Sequence, residues 1–138
     1  MKVIIGLFLF ICFLFSFSFS IKAEDIPYLL TASSKGDIES VKAIIESGGN
    51  VNTEDGNKVS ALMYASRKNQ VEVARYLISK GAEVNKQEID GWTALMYASK
   101  NNYSDIVKLL IENNADLKIT DSDGWTAYGL AATSGNYQ

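Results

Sequence analysis

The six residues ALMYAS stand at 61–66 and again at 94–99, 33 residues further on. Identity of that length at a fixed distance marks either a duplicated site or a repeating structural unit, and the flanking residues separate the two. Displaced by the same 33 residues, VEVARYLI (71–78) falls on IESVKAII (38–45), and GAEVN (81–85) falls on GGNVN (48–52). In the other direction DGWTA (90–94) falls on DGWTA (123–127), and VEVARYLISKGAEV (71–84) falls on SDIVKLLIENNADL (104–117). The period runs from about residue 26 to residue 138, which makes it a property of the fold and not of one site.

Every copy has the same internal order. A short apolar-periodic stretch such as TALMYASK (93–100) comes first, and a few polar residues follow. Then comes DIVKLLIEN (105–113), where Ile106, Val107, Leu109, Leu110 and Ile111 recur at the one-, three- and four-residue steps of a buried helix face. A stretch rich in Gly, Asn and Asp closes the unit. Ser60, Thr93 and Thr126 occupy the position where a helix needs an N-cap acceptor. Helix, turn, helix and loop at this period form a solenoid unit: no copy buries its apolar face alone, and stacked neighbours bury it together.

The first residues are set apart from this pattern. Met1-Lys2 precede VIIGLFLFICFLF (3–15), and SFSFSIKA (16–23) follows. A basic start, an apolar core and a polar exit ending in Ala read as a secretory signal, cut between Ala23 and Glu24. Ile21 is larger than the small residue usual at its place, so the cut can fall a few positions away. The competing reading is a retained anchor over residues 3–19, close to the lower limit of about 17 residues for a bilayer span. Cys12 is the only cysteine, and bulky Ile11 before it argues against lipid modification. A chain starting at Glu24 holds 11 basic and 16 acidic residues once Lys2 and Lys22 are gone, a net charge of −5. That balance gives no support for nucleic-acid binding, which wants a basic face. The remaining chain has no cysteine, hence no disulfide and no thiolate ligand, and there is no histidine.

DGWTALMYASKNNYSDIVKLLIENNADL (90–117) resembles the ankyrin-repeat family, whose pattern is roughly D-G-x-T-P-L-H-x-A-A-x-x-G, an apolar helix, then G-A-D-V-N. The unit before it, ending SKGAEVN (79–85), is similar. The resemblance covers nearly the whole chain after the leader. It implies an all-α ankyrin-repeat solenoid of helix–turn–helix units with β-hairpin-like loops. Three full units (26–57, 58–90, 91–123) and a partial C-terminal unit (124–138) are expected, the first opening as an N-terminal cap.

The departures from the pattern carry information. Ala61 and Ala94 stand where the family has Pro, and Met63 and Met96 where it has His, so the usual Thr–His hydrogen bonding between units is replaced by adaptable thioether packing. Where Gly follows the first helix, Gly36 and Gly135 agree, while Asn69 and Asn102 stand in the middle units and still tolerate a left-handed backbone. The second unit reads DGNKVSA (55–61) against DGWTA elsewhere, and aligning Asp-Gly gives its hairpin two extra residues.

Within a stacked repeat the recurring letters are core: Leu62, Ala65, Leu95 and Ala98 are expected inside, with Tyr64 and Tyr97 as interior or half-buried spacers whose hydroxyls need an outlet. The resemblance implies protein binding across the hairpin tips and the concave side of the first helices. Carried over by position, the residues before the cap are Val59, Trp92 and Trp125, and the tips include Gly56, Asn57, Glu88, Ile89, Asp121 and Ser122. The late helix positions are Ser34-Lys35, Arg67-Lys68, Lys100-Asn101 and Thr133-Ser134. Trp92 and Trp125 either anchor a partner or lie along their own hairpins. Lys35, Arg67, Lys68 and Lys100 form either a solvated face or a basic ridge for acidic groups of a partner.

Enzymatic chemistry finds no foothold: His, the commonest general acid–base residue, is absent, and no phosphate-loop spacing occurs. The acidic pairs at Glu54-Asp55 and within DSDG (121–124) lack the spacing of a calcium loop, and DSDG reads as turn chemistry. The expectation is a non-enzymatic, monomeric, exported module, periplasmic or secreted, that binds another protein and needs no cofactor. The alternatives are a membrane-tethered scaffold, if the leader is retained, and an inhibitor or protector of a secreted enzyme. The partial last unit leaves its packing surface either capped by its single helix or open to a partner or another copy.

Overall fold

The computed structural model describes residues 28–135. The expected leader at 1–23, its cleavage point and the tail at 136–138 lie outside these residues. The first helix is described over 28–35 (α1), followed by α2 (Ile38–Glu46), α3 (Ala61–Arg67), α4 (Val71–Ser79), α5 (Ala94–Lys100), α6 (Ser104–Glu112) and α7 (Ala127–Thr133). The fold is an all-α solenoid. Among the described residues, extended pairing is confined to an antiparallel bridge between Glu54 and Ser60.

The start of each first helix is set by its cap. The side chains of Ser60, Thr93 and Thr126 accept from the amides of Met63, Met96 and Gly129, as their position in the repeat predicts. Each of these helices runs seven residues and ends at a turn that needs a left-handed residue. Asn69 (φ 59°) and Asn102 (φ 57°) take that conformation where Gly36 and Gly135 take it in the outer units. The second helices bury one stripe each: Val41 and Ile44 on α2, Val73, Ala74 and Leu77 on α4, and Ile106, Leu109 and Leu110 on α6.

Stacking then builds the core in two layers. α3 packs on α5 and α5 on α7, while α4 lies between α2 and α6. Leu62, Ala65, Leu95 and Ala98 are buried to 3% exposure or less, and Met63 and Met96 fill the positions of the family's His at 1%. A leucine buried to that degree contributes about 1.5–3 kcal/mol. The loops are joined by side chains one period apart. Asn52 Oδ1 accepts from the Glu83 amide (2.9 Å), and Asn85 Oδ1 from the Asp116 amide (2.7 Å). Beyond α6 the stack is open among the described residues: Val107 and Ile111 line a groove with Ala131 of α7, and Ile111 is exposed.

The hairpin of the second unit has no extra residues. Asp55, Glu88 and Asp121 occupy one position, since Asp55, Glu88 and Asp121 each accept two amides of their own turn through the side chain. Lys58 (φ 64°) takes the left-handed place that Gly91 (φ 83°) and Gly124 (φ 84°) take in the next hairpins. Aligning Asp-Gly therefore misreads this loop. Gly56 is a tip residue, and the register is set by the carboxylate that holds the turn.

Candidate protein-binding face

At the 33-residue period, Thr31, Tyr64, Tyr97 and Leu130 form one row across the first helices, and Ser34, Arg67, Lys100 and Thr133 form the row beside it. In the middle units these rows close on each other. The Tyr64 hydroxyl donates to Asp55 Oδ2 at 2.7 Å, while Asp55 Oδ1 accepts from the amides of Asn57 (2.9 Å) and Val59 (3.0 Å). Partial burial pushes the Asp55 carboxyl up, but the Tyr64 hydroxyl, the two amides and the nearby Arg67 charge outweigh it and leave its pKa below the ordinary Asp value. The same hydrogen bond, aided by burial, raises the Tyr64 hydroxyl.

Tyr64 also supports a cation. The Arg67 guanidinium carbon lies 5.0 Å from its ring centroid and 5.8 Å from that of Tyr97 in the next unit. Tyr97 is tilted against Trp92, with ring centroids 5.0 Å apart at 46°. Burial, then the Glu88 carboxylate, raises the Tyr97 hydroxyl. Asp55, Tyr64, Arg67, Tyr97 and Trp92 thus form a continuous line over two units. Each cation–ring contact at such an exposed place is worth about 0.5–1 kcal/mol. Rings held this way lose little entropy when covered, which is what an interface anchor requires.

The residues expected at the binding face divide by burial. Arg67 and Lys68 are exposed at the end of α3, and Asn101 is exposed past α5, its side-chain amide donating to the Tyr97 carbonyl (2.8 Å). Lys100 is half-buried and donates to Thr133 Oγ1 at 3.1 Å. Ile89 is 64% exposed at a hairpin tip, and exposed Ser122 donates to the Asp90 carbonyl through both its amide (3.0 Å) and its hydroxyl (2.9 Å). Trp92 is half-buried along its own hairpin and helix. Trp125 is 46% exposed, its ring lying across α7 at Gly129, where a Cβ would come within 2.9 Å of it.

Three positions expected at the face are buried instead. Val59 is 7% exposed and packs into the core, whereas at the equivalent positions the larger Trp92 is only half-buried and Trp125 is 46% exposed. Glu88 is also 7% exposed, its carboxylate accepting from the Asp90 (3.0 Å) and Trp92 (2.8 Å) amides. Asp121, named among the tip residues, is buried in the same role. Conversely, Tyr64 and Tyr97, expected as spacers, present ring faces to Arg67. A tyrosine three residues before an arginine, with a second tyrosine one period on, is the signal that points to this line.

The family model described as ankyrin repeats (3 copies) matches residues 13–88, 29–121 and 84–138. The chain belongs to the ankyrin-repeat family. No curated protein matches it closely enough to count as a relative. Ankyrin repeats generally mediate protein–protein interaction, and the family is typically a non-enzymatic interaction module. Among the described residues of this ankyrin-repeat chain, no group of three or more acidic or cysteine side chains converges as a metal ligand set. The Asp55, Glu88 and Asp121 carboxylates are engaged by their own hairpins. No helix of the described residues is long and apolar enough to cross a membrane.

Proposed function

We propose that this ankyrin-repeat chain is an exported, monomeric module that binds another protein across its hairpin tips and the concave face of its first helices. The observation that carries the reading is the line Tyr64–Arg67–Tyr97–Trp92, a pre-positioned aromatic and cationic surface crossing two units. Ile89 and Ser122 at the tips and Lys68, Lys100, Asn101 and Trp125 beside the line extend the contact. Export rests on the leader pattern of residues 1–23. Periplasm or extracellular space is the proposed destination, and the alternative is the same module tethered by residues 3–19.

The test is recovery of a partner from the exporting compartment. Wild-type chain is compared with a variant carrying Trp92→Ala, Lys68→Glu and Lys100→Glu, folding being checked by circular dichroism. Loss of the recovered protein supports the face; equal recovery by a folded variant refutes it. Mass spectrometry of the N-terminus reads the leader separately. A chain starting near Glu24 supports export with cleavage, and Met1 on membrane-bound chain supports the tether. Sedimentation velocity showing a dimer would refute the monomer.

A further inference from the structure

Arg67 fills a slot that recurs with the repeat. It lies between the tyrosine three residues earlier on its own helix and the tyrosine of the next unit, Tyr64 and Tyr97. One period earlier the corresponding residues are Ser34, Thr31 and again Tyr64. Ser34 is too short to reach across, and the structure has a recess of about 400 Å³ there. Leu30, Thr31, Ser34, Lys35 and Tyr64 line it together with Glu54 and Asp55 of the hairpin.

We propose that this recess receives an arginine side chain of the partner protein, which takes the place at Tyr64 that Arg67 takes within the chain one unit on. The proposal rests on the concave face being the binding surface. Its chemistry is complementary to a cation. The face of a tyrosine ring is negative, and Asp55 and Glu54 add carboxylates, Glu54 being shared with Lys86. A planar guanidinium suits the slot better than an ammonium, since it stacks on a ring and gives up its weaker hydration at less cost. Lys35 opposes any incoming cation, so its charge tunes the slot and its removal reports on what enters. An acidic side chain, by contrast, would meet both carboxylates and the ring face.

The experiment titrates chain recovered from cells expressing the full sequence with the end-blocked peptide Gly-Arg-Gly, followed by NMR. The counterparts contain citrulline or glutamate in place of arginine. Saturable shifts of the Tyr64 ring and the Ser34 amide are expected with arginine, weaker by about two- to fivefold with citrulline, from which the charge of the cation–ring contact is missing. Ser34→Arg repeats the arrangement of Arg67 and should fill the slot from within, abolishing the response in a folded protein. Lys35→Glu should tighten arginine binding. The proposal is overturned by an absent Tyr64 response, by equal binding of citrulline, by preference for glutamate, or by an undiminished response in folded Ser34→Arg. Should Ser34→Arg fail to fold, Lys35→Glu decides, and unchanged or weaker arginine binding overturns the idea. Partner recovery reads the whole face and this titration reads one slot, so failure of either is distinguishable from failure of the other.

Discussion

The guanidinium carbon of Arg67 stands 5.8 Å from the ring centroid of Tyr97, a contact made by side chains of successive repeats. The same cation is 5.0 Å from Tyr64 on its own helix, so one arginine ties two units together on the exposed side of the stack. Burial does not supply this link, because Arg67 is exposed.

Arg67→Ala is expected to lower unfolding stability by about 1 kcal/mol, the sum of modest cation–ring contacts and lost stem packing. Urea denaturation measures it. A double-mutant cycle with Tyr97→Leu should return a positive coupling between the two positions, and additive effects would refute the link.

Acid should weaken the second hairpin through Asp55. Its folded pKa lies below the ordinary Asp value of 3.8, so its contribution is fully present above that value and is lost as pH falls through the lower folded one. Asp55→Asn keeps an oxygen for the Asn57 and Val59 amides but removes the charge facing the Tyr64 hydroxyl. Thermal melts from neutral to strongly acidic pH should show wild type above Asp55→Asn at neutral pH and the two converging in acid. A constant gap would count against the assignment.

The period, the caps and the left-handed Asn69 and Asn102 were legible in the chain because each is local chemistry repeated at fixed spacing. Ser60, Thr93 and Thr126 needed only their own helix starts to be recognised. The burial of Val59 and Glu88 was not legible: neither depends on residue type alone, and a carboxylate at a hairpin is polar by letter yet enclosed once its oxygens are taken by turn amides.

The equivalence of Lys58 with Gly91 gives opposite expectations at two hairpins. Lys58→Gly should stabilise by about 0.5–1 kcal/mol, relief of a left-handed side-chain residue exceeding the added chain entropy. Gly91→Ala should destabilise by about 1–2 kcal/mol for the same conformational reason. A Cβ there would also meet Asp121 Cα and the Ser122 amide nitrogen at 3.0 Å, backbone of the next hairpin. Shifts of the urea midpoint in these directions are the readout. A stabilising Gly91→Ala would contradict the register.

Asn85 joins the loop after α4 to the loop after α6 through its side chain, accepting from the Asp116 amide and donating to the Asn114 carbonyl at 3.2 Å. Asn85→Ala should cost about 1–2 kcal/mol for the lost pair. Hydrogen exchange at the Asp116 amide should accelerate well beyond that of the core amides of α4. Unchanged protection at Asp116 would show that the bond contributes nothing.

What the amino-acid sequence determined by itself was the unit: where helices start, where they stop, and that apolar stripes recur at a spacing only stacking can bury. Those are decisions among neighbours in the chain, made by caps, left-handed residues and periodicity. The tertiary structure decided what each unit does to the next. It seats Arg67 between rings 33 residues apart, lets Lys58 stand in for a glycine, and opens a slot at Ser34, the position that Arg67 takes one unit on. The physical reason is that these contacts form across the stack. Their partners are distant in sequence and meet only when the core of one unit closes on its neighbour.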